Sequence, residues 1–87
     1  MSRHEVPALD PLNTVIVGWD HPLRTFFAQV KSKLLEKTNP DDPFLLWIGC
    51  SLREIYEIED LAHALRQYAF LDANIRTKLY GDKDAGL

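Results

Sequence analysis

Two runs of strand-favouring residues flank a turn signal near the middle of the first half of the chain. "TVIVGW" (Thr14 to Trp19) leads into Asp20-His21-Pro22, and "RTFFAQV" (Arg24 to Val30) follows. How residues 17–37 are read decides whether this protein has a sheet of its own. In a hairpin, Phe26, Ala28 and Val30 alternate with Thr25, Phe27 and Gln29, and a turn through Gly18 to Pro22 joins them antiparallel to the first strand. In a helix, Leu23, Phe26, Phe27, Val30 and Leu34 share one face, with Asp20 as cap and Pro22 in the first turn. The helical alternative, β-α-β with residues 21–37 helical, leaves two parallel strands that need pairing from another chain. The hairpin supplies three antiparallel strands, the least a sheet needs to stand by itself, and we adopt it.

The third strand is "FLLWIGC" (Phe44 to Cys50), set off by the loop "KTNPDDP", whose prolines remove backbone donors and restrict the residues before them. Both clear strands are apolar at consecutive positions, so neither is expected to have one face in water. Beyond Cys50 the period changes. Ile58, Leu61, Ala62, Leu65 and Tyr68 recur at helical spacing. Ser51 and Glu54 match a capping box that could start this helix near Leu52, with an extended connector over 55–57 as the other option. A last short helix is expected from Asp72 as N-cap to Gly81 as stop, with Asp72 and Arg76 close enough to pair. The fold class is therefore α+β: strands at about 14–19, 23–31 and 44–50, packed by helices at about 58–70 and 73–80. "KSKLLEK" becomes a loop or a short helical turn.

At 87 residues, with 46% hydrophobic and 26% charged side chains, the chain is expected to form one small domain, with an N-terminal arm (1–12) and a frayed tail (82–87). So small a core is marginally stable unless something extends it. One cysteine, Cys50, excludes an internal disulfide and favours a reducing, cytoplasmic setting. "MSRHEVPALDPLN" lacks the apolar run of a signal peptide, and "FLLWI" is too short to span a bilayer, so no membrane association is expected.

Few residues suggest chemistry. Asp20 and His21 could bring a carboxylate and an imidazole to one turn, and Cys50 ends a strand where a thiolate could be stabilised. A small enzyme with a site near Asp20, His21 and Cys50 is thus one reading. Simpler accounts are a solvated turn and a small apolar cysteine. His4, His21, His63 and Cys50 form no metal-ligand motif, "NPDDP" lacks the glycine-centred calcium pattern, and Gly18, Gly49, Gly81 and Gly86 are too scattered to cradle a phosphate. No metal or cofactor is expected.

Arg24, Lys31, Lys33 and Lys37, near Phe27 and Trp47, form a local basic cluster that could meet nucleic acid through phosphate contacts and stacking. The formal charge of −3 argues against it, and a charged sheet edge explains the lysines without a ligand. Glu54, Glu57, Glu59 and Asp60 are accounted for by the preference of negative charge for a helix N-terminus. Surface remains. If the helices cover one face of the sheet, the other carries apolar residues, with Trp19, Phe27 and Trp47 as candidates. The leading expectation is a non-catalytic interaction or regulatory module, homodimeric through that face. Its rival covering is the arm itself, folding over the face through Val6, Leu9 and Leu12.

Overall fold

The hairpin reading holds. The computed structural model describes residues 2–86, and strands β2 (Asn13–Asp20) and β3 (Thr25–Ser32) pair antiparallel along their full length, from Asn13 opposite Ser32 to Asp20 opposite Thr25. The connecting residues 21–24 close with the Arg24 amide donating to the His21 carbonyl at 3.1 Å. Arg24 itself adopts a left-handed φ of 51°, so the strand begins at Thr25 and not at Leu23.

The sheet has four strands, one more than expected, in the order β1-β2-β3-β4, all antiparallel. The addition, β1 (His4–Val6), comes from the arm. It pairs with β2 and places Val6 beside Val15 in the core. Leu9 and Leu12 stay exposed, so the arm adds an edge instead of covering a face. At the other edge, β4 (Phe44–Ile48) pairs with β3 through a bulge at Val30/Lys31. It ends two residues before the expected Cys50, because Gly49 turns the chain out with φ 84°.

Three helices accompany the sheet. The six-residue α1 (Lys33–Thr38) is capped by the Ser32 hydroxyl, which accepts from the Leu35 amide at 3.3 Å. Helix α2 (Ile58–Leu65) is shorter than the expected 58–70; a tight turn follows, and Ala69 bridges Ala8. Helix α3 (Ala73–Ala85) starts on the Asp72 cap as expected but runs through Gly81. The left-handed residue that stops it is Gly86. Much of the tail expected to fray, residues 82–85, is thereby helical; its last residue, 87, lies outside the described residues. Arg76 bypasses Asp72, pairing with Glu59 and donating to the Leu71 carbonyl at 2.9 Å.

One face of the sheet meets the helices. Val15, Val17 and Trp19 of β2 and Phe26, Ala28 and Val30 of β3 join Ile58, Leu61 and Leu65 of α2, Ile75 and Leu79 of α3, and the connecting Ala69 and Leu71. His4 Nε2 and Asp82 Oδ2, 2.6 Å apart, tie β1 to the last turns of α3. At the far end, the buried Thr25 hydroxyl accepts from the Ile55 amide at 2.8 Å, while the Phe26 amide donates to the Ile55 carbonyl at 2.7 Å. Ile55 is thereby held against the start of β3.

Candidate functional site

Among the described residues, α2 and α3 pack on the first face of the sheet, and the second face carries neither of them. Residues on it follow from register, because successive strand residues alternate sides. Gly18, Phe27, Gln29 and Lys31 share this outer face; Trp47 lies opposite Gln29 and Phe44 opposite Lys31. The Phe44 and Trp47 rings are in contact, with centroids 4.5 Å apart, and Lys31 Nζ sits 5.4 Å from the Phe44 centroid. Leu45, the extra residue of the bulge, is 42% exposed and Trp47 54%.

Of the three residues expected on an apolar contact face, only Trp47 offers substantial free area. Phe27 lies on the correct face but is 4% exposed. It fills the sheet between two glycines: a Cβ on Gly18 would come within 2.7 Å of its ring, and one on Gly49 within 2.5 Å of its Cα. Trp19 is on the opposite face, in the core, in an edge contact with Phe26 at 4.9 Å. The expectation that Trp19 could share a surface with Trp47 is therefore corrected by the register: Trp19 pairs with Phe26, which puts Phe27 on the other side. The outer residues not foreseen are Phe44 and Leu45, brought forward by the bulge.

Strand β4 differs from the expectation that its residues are covered on both sides. It is the sheet's outer edge. Its sequence FLLWI has neither charge nor proline, and its backbone makes no hydrogen bond beyond β3 among the described residues. The opposite edge, β1, is three residues long, carries His4 and Glu5 and is followed by Pro7. Charges, proline and brevity are what protect an edge from adding strands, and β4 has none of the first two.

The basic cluster is split. Lys31 lies at one end of β3 and Arg24 in the turn at the other, about 20 Å away by strand rise. Lys33 and Lys37 belong to α1, at the Lys31 end. Asp20, His21 and Cys50 are likewise only partly assembled. Asp20 and Cys50 border a shallow cavity of about 210 Å³ with Leu23, Phe27, Gln29, Trp47 and Gly49. His21 is not in its lining and is directed at the end of α3, where a Cβ on Gly86 would meet its ring at 3.2 Å. The Asp20 carboxylate accepts from the Leu23 amide at 3.3 Å. Among the described residues, no group of three His, Cys, Asp or Glu side chains is placed to hold a metal ion, and no helix is long and apolar enough to cross a membrane.

The Ser51–Glu54 pair has a use other than the expected capping box. Glu54 reaches back as such a box requires, accepting from the amides of Gly49 at 2.9 Å, Ser51 at 3.2 Å and Cys50 at 3.3 Å. No helix starts, because Arg53 has a left-handed φ of 52°. The Gly49 amide, aided by those of Ser51 and Cys50, favours the ionised carboxylate and holds Glu54 below the ordinary glutamate value of 4.5. A lowered folded-state value contributes stability that is present above 4.5 and lost as pH falls through the folded value. Glu54→Gln is accordingly expected to flatten the acid limb: urea midpoints compared between about pH 6 and about pH 3 should fall further for the parent than for the variant. Parallel decline would show that the amides do not hold the charge.

No known family model, curated protein or solved structure matches this chain. Its functional reading rests on the residues just described.

Proposed function

We propose that this protein is a non-catalytic interaction module that self-associates through β4 and the adjoining outer face. The supporting observation is the state of that edge: a charge-free, proline-free strand with Leu45 and Trp47 directed into solvent beside Phe44. A second copy is the occupant best suited to it. An uncharged strand meets no like-charge repulsion from itself, and an antiparallel pairing centred on Leu46 sets Leu45 opposite Trp47 of the other copy, twice over by symmetry. The pairing doubles the four-stranded sheet and satisfies the outward backbone groups of β4. A cytoplasmic setting belongs to the same reading, supported by the single, exposed, unpaired Cys50.

Trp47→Glu tests the surface. Two desolvated carboxylates in a twofold interface are expected to weaken association by at least about 100-fold, read by sedimentation velocity, with the thermal transition of the monomer retained because Trp47 is outside the core. Phe27→Glu is a poor probe of the same surface, since Phe27 is packed within the sheet. An association constant untouched by Trp47→Glu would refute the proposed surface.

A further inference from the structure

The far end of the molecule holds two arginines that have no ion-pair partner among the described residues. Arg24 lies in the β2–β3 turn and Arg53 in the segment that follows Gly49; the Arg53 amide donates to the Leu23 carbonyl at 2.9 Å, clamping the two turns together. Both residues have left-handed backbones, φ 51° and 52°. Arg24, Arg53 and Tyr56 line one depression of about 380 Å³. Among the described residues, neither guanidinium makes an ion pair or a hydrogen bond.

The nearest carboxylates in sequence bond to backbone amides. Asp20 accepts from the Leu23 amide, and Glu54 from the amides of residues 49–51. Among the described residues, neither forms an ion pair with the arginine beside it. A third cation stands behind the wall: Lys83 Nζ is 3.6 Å from the Tyr56 ring centroid and donates to the Tyr56 carbonyl at 2.9 Å. That leaves the tyrosine half exposed on its remaining surface.

We propose that Arg24, Arg53 and Tyr56 bind a phosphate monoester carried on a planar ring, a small nucleoside monophosphate being the fitting ligand. Two guanidinium forks match a dianion, and their planar donors suit the oxygens of a phosphate in pairs. The half-exposed tyrosine offers a flat apolar surface for the ring. The depression is at the lower end of the range for small-molecule sites. This site is separate from β4 and does not depend on dimerisation.

Titration of the full chain with adenosine monophosphate, followed through backbone amide shifts in NMR, tests it. Saturable shifts centred on Arg24, Arg53 and Tyr56 are expected, with affinity lowered at least about tenfold in R24Q/R53Q. Glutamine keeps an unbranched polar side chain at both exposed, left-handed positions, so the variant is expected to keep its fold, checked by an unchanged spectrum elsewhere. Adenosine without phosphate is expected to bind at least about tenfold more weakly, as is inorganic phosphate. Shifts absent at millimolar nucleotide, or equal in R24Q/R53Q, overturn the site; inorganic phosphate binding as well as the nucleotide overturns the role given to Tyr56.

Discussion

Gly49→Ala is expected to lower stability by about 4 kcal/mol or more. Gly49 ends β4 with φ 84°, a backbone region that disfavours a Cβ by about 1–2 kcal/mol. The larger cost is steric. The added methyl would lie 2.2 Å from the Phe26 carbonyl oxygen and 2.5 Å from Phe27 Cα, so the obstacle is the backbone of the central strand β3 and not a side chain that could swing away. Moving it disturbs the amide that holds Glu54 and the pairing of β4 together. A domain of this size has roughly 5–15 kcal/mol in total, and a loss of about 4 or more consumes much of it. Circular dichroism with urea titration measures the result; Gly81→Ala, in open space on α3, is the matching control and is expected to be neutral or slightly stabilising. A Gly49→Ala midpoint equal to the parent's would show that β3 and the 49–57 segment are not so closely packed.

Phe26→Ala follows closely, with an expected loss of about 3–5 kcal/mol. Phe26 is fully buried, meets Trp19 edge-on, and lies under Lys83 Nζ at 5.6 Å. Removing it opens a cavity where β2, β3 and α3 converge, and takes from Trp19 an aromatic contact of about 0.5–1.5 kcal/mol. Lys83, held over Trp19 and Tyr56 as well, loses one wall of its enclosure. Chemical denaturation of the purified variant measures the loss; a change below about 1 kcal/mol would mean that this part of the core can collapse to fill the space.

The contrast between Phe26 and its neighbour explains what was legible in the sequence. The hairpin could be read from Thr14–Trp19 and Thr25–Val30 because β-branched and aromatic residues are dense on both sides of Asp20-His21-Pro22. Its face assignment could not. Asp20 pairs with Thr25 across the turn 21–24, and shifting that register by one residue would exchange the faces of Phe26 and Phe27. That register, and not composition, puts Trp19 on the helix side. Strand β1 escaped notice because His4–Val6 has no pattern of its own; only Val6 against Val15 fixes it.

Helix ends were obscured by local signals that tertiary structure overrides. Gly81 resembles a stop, yet Lys83 finds Tyr56 and Asp82 finds His4 when α3 continues for another turn. The capping-box pair Ser51 and Glu54 makes part of its expected bonding, but around a turn in which Arg53 is left-handed. Neither left-handed arginine carries a sequence signal, since glycine or asparagine is the usual mark of that conformation. The outer face was half legible. Trp47 and the apolar run of β4 stood out, whereas the bulge that exposes Leu45 and brings Phe44 to the same side is set by pairing with β3.

Self-association through β4 is most directly tested by light scattering of the unmodified protein over a concentration series into the high micromolar range. The expected result is a mass of twice the 10.0 kDa chain that declines toward the single-chain value on dilution. A constant mass of one chain at every concentration would contradict it.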